Sequence, residues 1–188
     1  MTFTEREQKL LEFAKFHHGT QKRKYTKEPY YVHLVAVATG VYHLGPVAVA
    51  IAICHDLIED TSCSYKMLFS ALVTFGYSPE ETADIITGVR DLTDFYTKDL
   101  FPNLNRRKRK ELEAVRLGTI GDVAKNVKYA DIADNVPTIV EFDEEFRDVF
   151  IREKLTILEY MKGGSLMMRQ VCEKAVNEGF TKIQSIVK

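Results

Sequence analysis

Four ionisable side chains lie together at the end of an apolar segment. His55 and Asp56 follow the run of apolar residues 47–54. On a helix that continues through these residues, Glu59 lies one turn beyond His55. Asp60 lies one turn beyond Asp56. Buried carboxylates are costly unless they are paired or bind a metal, and anions at a helix C-terminus oppose the helix dipole. The pattern therefore predicts a site for a divalent cation.

Side chains on two other predicted helices could complete this site. His33 lies in an apolar helical pattern, where a lone histidine is usually a satisfied core residue. Asp131 lies in the largely apolar stretch 127–135 and needs a partner there. Asn135 is one turn beyond it on the same face. Two imidazoles and two carboxylates would form a mixed nitrogen and oxygen set, which suits manganese, iron, cobalt, nickel or zinc.

The composition bounds the class of protein. The chain has 188 residues, of which 45% are hydrophobic, enough for one domain with a sizeable core. The formal net charge of -1 points to neither nucleic acid nor membrane. The first residues lack the basic flank and apolar stretch of a signal peptide. The three cysteines lack paired spacing and suit a reducing compartment. We therefore expect a cytoplasmic protein.

Helical periodicity recurs along the chain, and the alternation typical of strands is missing. Thr4 and Glu7 have the spacing of a capping box, which predicts a first helix that runs to about His18. Further helices are predicted from Tyr30 to about Tyr42, through His55, from Ser64, from Ser78–Pro79, and over 107–117, 120–135, 144–161 and 165–177. Residues 91–105 are predicted to form a long loop. The sequence thus predicts an all-α single domain over residues 1–188.

Several short blocks follow one another in a characteristic order. They are Gln-Lys-Arg-Lys and Glu-Pro-Tyr-Tyr-Val-His within 21–33, His-Asp-Leu-Ile-Glu-Asp-Thr over 55–61, Phe-Gly at 75–76, Gly-Val and Leu-Thr within 88–93, and Lys-Tyr-Ala-Asp with a later Asn over 128–135. In this order they resemble the HD-domain metal-dependent phosphohydrolases. Within that superfamily they are similar to the hydrolase domain of enzymes that degrade guanosine tetra- and pentaphosphate (ppGpp and pppGpp) alarmones. The resemblance covers roughly residues 10–160 and implies an HD-type helical bundle with a metal site between helices.

The resemblance also implies roles for the matching residues. It implies Mn²⁺, or another divalent transition metal, held by four ligands: His33, His55, Asp56 and Asp131. It places Glu59 and Asp60 beside the water that attacks phosphorus, where carboxylates can orient the water and accept its proton. The base or ribose end of the substrate would meet Arg23 and Lys24, and the ribose and phosphate region would meet Asn135 and Thr138. The implied reaction removes pyrophosphate from the ribose 3′ position.

The chain departs from the alarmone-hydrolase pattern at two places. The loop over 23–30 is one residue longer and lacks the usual glycine. Ile132 and Asp134 stand where an arginine and a histidine are usual. One alternative is therefore a nucleotidase or phosphatase that acts on another nucleotide or phosphate ester. Another is a nucleotide-binding sensor, against which the presence of Glu59 and Asp60 argues.

The remaining charged residues outside these blocks have plain explanations. The basic run 105–110 is best explained as a solvated helix start, then as a phosphate contact, and least as a nucleic-acid patch. His17, His18 and His43 are predicted at the surface or at helix ends, with His17 near Gln21 as a possible border of the pocket. We expect a nucleotide as the partner, and neither nucleic acid nor membrane.

Overall fold

The computed structural model describes residues 2–186, whose backbone is mostly helical. The α-helices are α1 (Glu5–His18), α2 (Tyr31–Gly40), α3 (Pro46–Cys54), α4 (Leu57–Asp60), α5 (Tyr65–Thr74), α6 (Pro79–Leu92), α7 (Arg106–Leu117), α8 (Asp122–Phe142), α9 (Arg147–Tyr160) and α10 (Leu166–Ile186), with a short 3₁₀ helix (Tyr42–Leu44) after α2. Residues 2–186 form no strand beyond one antiparallel bridge between Lys22 and Pro29. No helix in this part of the chain is both long and apolar enough to cross a membrane. The predicted all-α fold is confirmed.

The helices form two compact units. The first unit ends at Thr93 and contains α1 to α6, and the second begins at Asp94 and contains α7 to α10. That residues 1–188 form a single HD phosphohydrolase domain stays a prediction.

The first helix begins at a complete capping box, as predicted. Thr4 Oγ1 accepts a hydrogen bond from the backbone N–H of Glu7, and the Glu7 carboxylate accepts one from the N–H of Thr4. Leu10 and Ala14 then occupy the buried face one turn apart. The helix ends at His18. The cap and the buried face hold α1 in place, and the loop that follows α1 starts after His18.

The third helix is the core of the first unit. All of its residues from Ala48 to Cys54 are buried, so it has no solvent-facing polar side. It packs against α1, α2 and α6. A glycine on α6, Gly88, permits close approach, because a Cβ atom there would lie 2.3 Å from Ile51 Cδ1. His55 therefore follows a helix that is held on all sides.

The segment predicted as one continuous helix is two helices, so that prediction is wrong at His55 and Asp56. Both residues keep right-handed helical φ and ψ, but α3 ends at Cys54 and α4 begins at Leu57. The His55 ring bonds to the carbonyl of Ala52, the acceptor that the Asp56 N–H would use in a continuous helix. The N–H of Asp60 still donates to the Asp56 carbonyl at 2.9 Å. The predicted one-turn spacing of these two carboxylates is retained.

The loop after α1 folds back on itself. The N–H of Tyr30 donates to the carbonyl of Gln21 at 3.0 Å, and the N–H of Arg23 donates to that of Glu28 at 2.9 Å. Lys27 turns the chain with a φ of 61°, in the left-handed region. These bonds set the positions of Gln21 and Arg23 relative to the start of α2.

In the second unit, a buried carboxylate ties the loop after Asp94 to α7. Glu113 accepts hydrogen bonds from the backbone N–H groups of Phe95 and Tyr96, at 3.1 and 3.0 Å. It also forms an ion pair with Arg116. The energetic cost of burying the Glu113 carboxylate is therefore offset by two backbone N–H groups and one guanidinium.

Helices α8 and α10 run well beyond the predicted ends at residues 135 and 177. Proline disfavours helix interiors, yet α8 continues past Pro137 to Phe142. Packing explains the extension: Val136 and Val140 are buried, and a Cβ added at Gly179 of α10 would lie 3.0 and 3.1 Å from their side chains. Burial of apolar side chains where α8 and α10 approach each other outweighs the helix hydrogen bond that is lost because Pro137 has no N–H.

Candidate metal centre

Two imidazoles and a carboxylate converge in the first unit. His33 on α2 and His55 after α3 are buried, and their Nε2 atoms lie 3.3 Å apart. Asp56 Oδ2 lies 3.0 Å from His55 Nε2 and 3.7 Å from His33 Nε2. Three atoms of the types that bind a transition metal are thus close neighbours.

The His55 tautomer suits a metal ligand. Its Nδ1 lies 2.7 Å from the carbonyl oxygen of Ala52. A carbonyl oxygen can only accept, so Nδ1 carries the proton. In the neutral ring, Nε2 then presents a lone pair toward Asp56 and His33. A hydrogen bond of this kind from the second ring nitrogen is the usual way in which a metal-binding histidine is oriented.

A tyrosine orients the Asp56 carboxylate. The Tyr30 hydroxyl donates to Asp56 Oδ2 at 2.5 Å. The Tyr30 ring stacks on His18, with 4.7 Å between ring centroids. Asp56 is half-buried, so this bond stabilises its charged form and holds one of its oxygen atoms beside the two imidazoles.

Glu59 and Asp60 are exposed on α4. The short α4 carries both side chains out of the core that α3 forms. Exposure leaves both side chains accessible to water, as proton-transfer groups require. The pairing of Asp60 is nevertheless specific, since Gln21 Nε2 donates to its Oδ2 at 3.0 Å.

A buried histidine supports this glutamine. Gln21 Oε1 lies 2.7 Å from His18 Nδ1, which therefore carries the donated proton. His18 lies at a helix end, one of the two places predicted for it, but it is buried there, at 6% exposure. Within the part of the chain that the structure describes, its Nε2 is buried without a hydrogen-bond partner. Sequence analysis missed both residues as functional groups, although Gln21 begins a recognised block.

In the second unit, three of the predicted site residues lie together on α8. Asp131 is buried, and its oxygens accept from Lys128 Nζ at 2.9 Å and from Asn135 Nδ2 at 2.7 Å. The Thr138 hydroxyl donates to the Asn135 carbonyl at 3.0 Å. Asp131 is therefore held in its charged form on one face of α8, as a metal ligand must be.

The two basic residues predicted to bind substrate lie in the loop after α1. Arg23 is half-buried, and Lys24 is exposed with its Nζ 4.8 Å from the centre of the Tyr25 ring. The same loop contains Gln21, which contacts Asp60. A ligand that meets Arg23 would therefore lie in the same unit as the His33, His55 and Asp56 cluster.

Comparison with known proteins shows that the all-helical fold has a counterpart among solved structures. The fold is similar to that of a solved structure described as a metazoan ortholog of SpoT that hydrolyses ppGpp. The TM-score is 0.74 at 22% identity, and the match covers 95% of this chain and 97% of the other. No protein-family model matches the chain.

Curated relatives are named as alarmone hydrolases. The chain is 32% identical over 153 residues to guanosine-3′,5′-bis(diphosphate) 3′-pyrophosphohydrolase of Aquifex aeolicus, a match to 80% of this chain but 20% of that protein. It is 27% identical over 163 residues to the protein of the same activity named MESH1 in Drosophila melanogaster, covering 81% of this chain and 83% of the relative. The chain thus spans about a fifth of the length of the first bacterial relatives it matches. The predicted resemblance to the HD-domain alarmone hydrolases is confirmed.

Proposed function

We propose that the chain is a metal-dependent phosphohydrolase that removes pyrophosphate from the ribose 3′ position of guanosine tetraphosphate. The observation that carries the proposal is the cluster of His33, His55 and Asp56, with His55 Nε2 aimed at its neighbours. The names of the relatives supply the reaction and the substrate class.

The donor set fits a transition metal. We propose that His33 and His55 bind through nitrogen, and that Asp56 and Asp131 bind through oxygen. Thiolate plays no part, and the mixed set suits Mn²⁺. Bound there, a divalent cation supplies Lewis acidity toward a phosphoryl oxygen and lowers the pKa of water. The charges of the two carboxylates offset the charge of the cation, which makes the site compatible with burial.

The exposed carboxylates of α4 perform the proton transfer in this proposal. Asp60, held by Gln21, orients the attacking water, and Asp60 or Glu59 accepts its proton. Water oxygen bonds to the phosphorus next to the ribose, and the bond from that phosphorus to the 3′ oxygen breaks. The 3′ oxygen takes up a proton, and pyrophosphate departs with the oxygen that came from water. General-base catalysis of this kind contributes about 10²–10⁴-fold in rate.

Binding of the nucleoside is proposed for Arg23 and Lys24, and binding of the ribose and its phosphate for Asn135 and Thr138. The planar, permanently charged guanidinium of Arg23 suits stacking on a base or pairing with phosphate. Neither group need take part in the chemistry, so loss of Arg23 should weaken binding more than it slows turnover.

A second candidate function is hydrolysis of another nucleotide or phosphate ester by the same residues. The observation that favours it is on α8, where Ile132 is buried at 1% exposure and supplies no charge to a ligand. Ile132 stands where the family pattern has an arginine, and Asp134 adds negative charge where that pattern has a histidine. Both changes weaken attraction for a highly charged substrate at this helix.

One screen separates the candidates. Metal-loaded protein is incubated with guanosine tetraphosphate, NADPH and nucleoside 3′- and 5′-monophosphates, and phosphate and pyrophosphate release are measured separately. We expect pyrophosphate in equal amount to GDP, and a KM for the tetraphosphate that rises in Arg23→Ala. The matched control is Lys22→Ala, an exposed charge in the same loop. A preference for a monophosphate that Arg23→Ala leaves unchanged would reject the alarmone assignment.

We also propose a cytoplasmic location and a nucleotide as the partner. The basic run at the start of α7 has structural roles that make nucleic-acid binding unnecessary. Arg106 forms a bidentate pair with Glu153, and Lys108 pairs with Glu111. Fractionation of cells that express a tagged chain tests the location.

A further inference from the structure

Tyr30 contacts two different sets of residues in the first unit, one with its hydroxyl and one with its ring. The hydroxyl donates to Asp56 Oδ2 at 2.5 Å. The ring stacks on His18, with 4.7 Å between ring centroids and 26° between ring planes. It also meets the ring of His33 edge to face, at 5.6 Å between centroids. One half-buried side chain therefore contacts two proposed metal ligands and the buried histidine that ends α1.

The hydroxyl restricts the Asp56 carboxylate on the side that faces the imidazoles. The oxygen that accepts from Tyr30 is the same Oδ2 that lies 3.0 Å from His55 Nε2 and 3.7 Å from His33 Nε2. A hydrogen bond to a charged oxygen is short and strong, so it holds the carboxylate in one orientation. Loss of an outer partner of this kind typically weakens metal binding about 10- to 100-fold.

The ring orients His18, which is linked to the exposed carboxylate of Asp60. His18 Nδ1 donates to Gln21 Oε1 at 2.7 Å, and Gln21 Nε2 donates to Asp60 Oδ2 at 3.0 Å. His18 Nε2 makes no hydrogen bond within residues 2–186, so the bond from Nδ1 and the stack on Tyr30 orient the imidazole. A continuous series of contacts thus runs from the Tyr30 ring through His18 and Gln21 to Asp60.

We propose that Tyr30 is a positioning residue with two separable roles. Its hydroxyl holds Asp56 for the metal, and its ring holds His18 and Gln21 so that Asp60 keeps its place beside the attacking water. This inference rests on the proposed function and deepens it, because it assigns one side chain to both metal binding and proton transfer. The roles belong to different atoms, so two substitutions separate them: Tyr30→Phe removes the hydroxyl and keeps the ring, whereas Tyr30→Leu removes both.

The role of the hydroxyl is tested by titrating the full chain with Mn²⁺, with the free ion measured by electron paramagnetic resonance. We expect the Kd for Mn²⁺ to rise about 10- to 100-fold in Tyr30→Phe, while kcat at saturating Mn²⁺ stays within about threefold of the wild type. The matched control is Tyr31→Phe, which removes the hydroxyl of the next residue, an exposed tyrosine, and should leave the Kd unchanged. A wild-type Kd in Tyr30→Phe, or an equal rise in Tyr31→Phe, would overturn the role of the hydroxyl.

The role of the ring is tested by kcat at saturating Mn²⁺. Tyr30→Leu should lower kcat about 3- to 10-fold, the effect of losing one stacked aromatic pair. Because the ring acts through Gln21, addition of Tyr30→Leu to Gln21→Ala should cause no further loss. Losses that multiply in the double variant, or a kcat in Tyr30→Phe as low as that of Tyr30→Leu, would overturn the role of the ring.

A second measurement of the ring does not depend on turnover. The proton on His18 Nδ1, which bonds to Gln21, can be followed by NMR in isotope-labelled protein. It should exchange slowly with water in the wild type and in Tyr30→Phe, and faster in Tyr30→Leu. Equal exchange in all three proteins would overturn the role of the ring. If Tyr30→Leu does not fold, Tyr30→Met provides the same comparison, because its flexible side chain fills the space without a ring face.

Failure of the proposed function is read separately, from the wild type alone. If the wild type binds Mn²⁺ but releases no pyrophosphate from guanosine tetraphosphate, the proposed reaction is wrong, and the Kd and the proton exchange still decide the two roles of Tyr30. A wild type that binds no metal would reject the proposed metal centre together with the role of the hydroxyl, and the proton exchange would still decide the role of the ring.

Discussion

Replacement of Gln21 by alanine tests whether the glutamine orients the proposed proton acceptor. The change removes a donor to Asp60 Oδ2 at 3.0 Å and an acceptor for His18 Nδ1 at 2.7 Å. A hydrogen bond to a charged acceptor contributes about 1.5–3 kcal/mol. If that stabilisation is needed to hold Asp60 toward water in the transition state, kcat should fall about 10- to 100-fold. The loss stays below the full effect of removing a general base, because Asp60 itself remains.

The same variant should lose stability. His18 is buried, and its Nε2 has no hydrogen-bond partner within residues 2–186. Without Gln21, its Nδ1–H loses its acceptor as well. A buried donor left unsatisfied costs about 1–3 kcal/mol in the free energy of unfolding. Urea denaturation measures this loss of stability. The loss should be absent in Gln8→Ala, a control on the exposed face of α1, the helix that ends at His18.

The assay is steady-state hydrolysis with the folded fraction fixed by circular dichroism. A positioning role predicts that kcat falls while KM for the nucleotide stays near the wild-type value. His18→Phe keeps the ring on Tyr30 but removes the donor to Gln21, so it should lower kcat less than Gln21→Ala does. Wild-type kcat in a fully folded Gln21→Ala would refute the reasoning, and so would a change in KM alone.

Four further variants test other parts of the molecule. His55→Ala and Asp131→Ala should each lose bound metal together with turnover, because each removes a proposed ligand; elemental analysis with unchanged occupancy would remove them from the ligand set. Glu59→Gln should keep metal and fold and slow the chemical step by up to about 10²–10⁴-fold; wild-type single-turnover rates would limit Glu59 to packing or pairing. Gly88→Ala should lower the free energy of unfolding by about 1–3 kcal/mol, because its Cβ would lie 2.3 Å from Ile51 Cδ1; an unchanged urea midpoint would show that Ile51 moves aside freely.

Local chemistry made the helix starts predictable from the sequence. Thr4, Ser64 and Ser78 each cap the helix that follows, and each uses a side chain and backbone N–H groups only a few residues apart. The break at His55 was not predictable from spacing, because it depends on a ring bonding to the carbonyl of Ala52. The length of α8 was not predictable either. It depends on packing against α10, which is remote in the sequence.

The candidate site likewise has residues that the sequence motifs identify and contacts that they do not. Motifs identify His33, His55 and Asp56, because residue type and order are enough to recognise them. They do not identify the bonds that link His18 to Gln21 and Gln21 to Asp60, since these bonds depend on where the loop after α1 turns back.

The positions of the cysteines make the chain suitable for measuring local opening. Cys54 of α3 and Cys172 of α10 are buried. Burial raises the pKa of the Cys54 thiol well above its ordinary value and that of Cys172 to about 12. Alkylating reagents attack the thiolate, so neither sulfur should react until its helix opens. One thiol reports on the first unit and the other on the second, and labelling rates resolved by peptide mass would give each unit its own opening free energy.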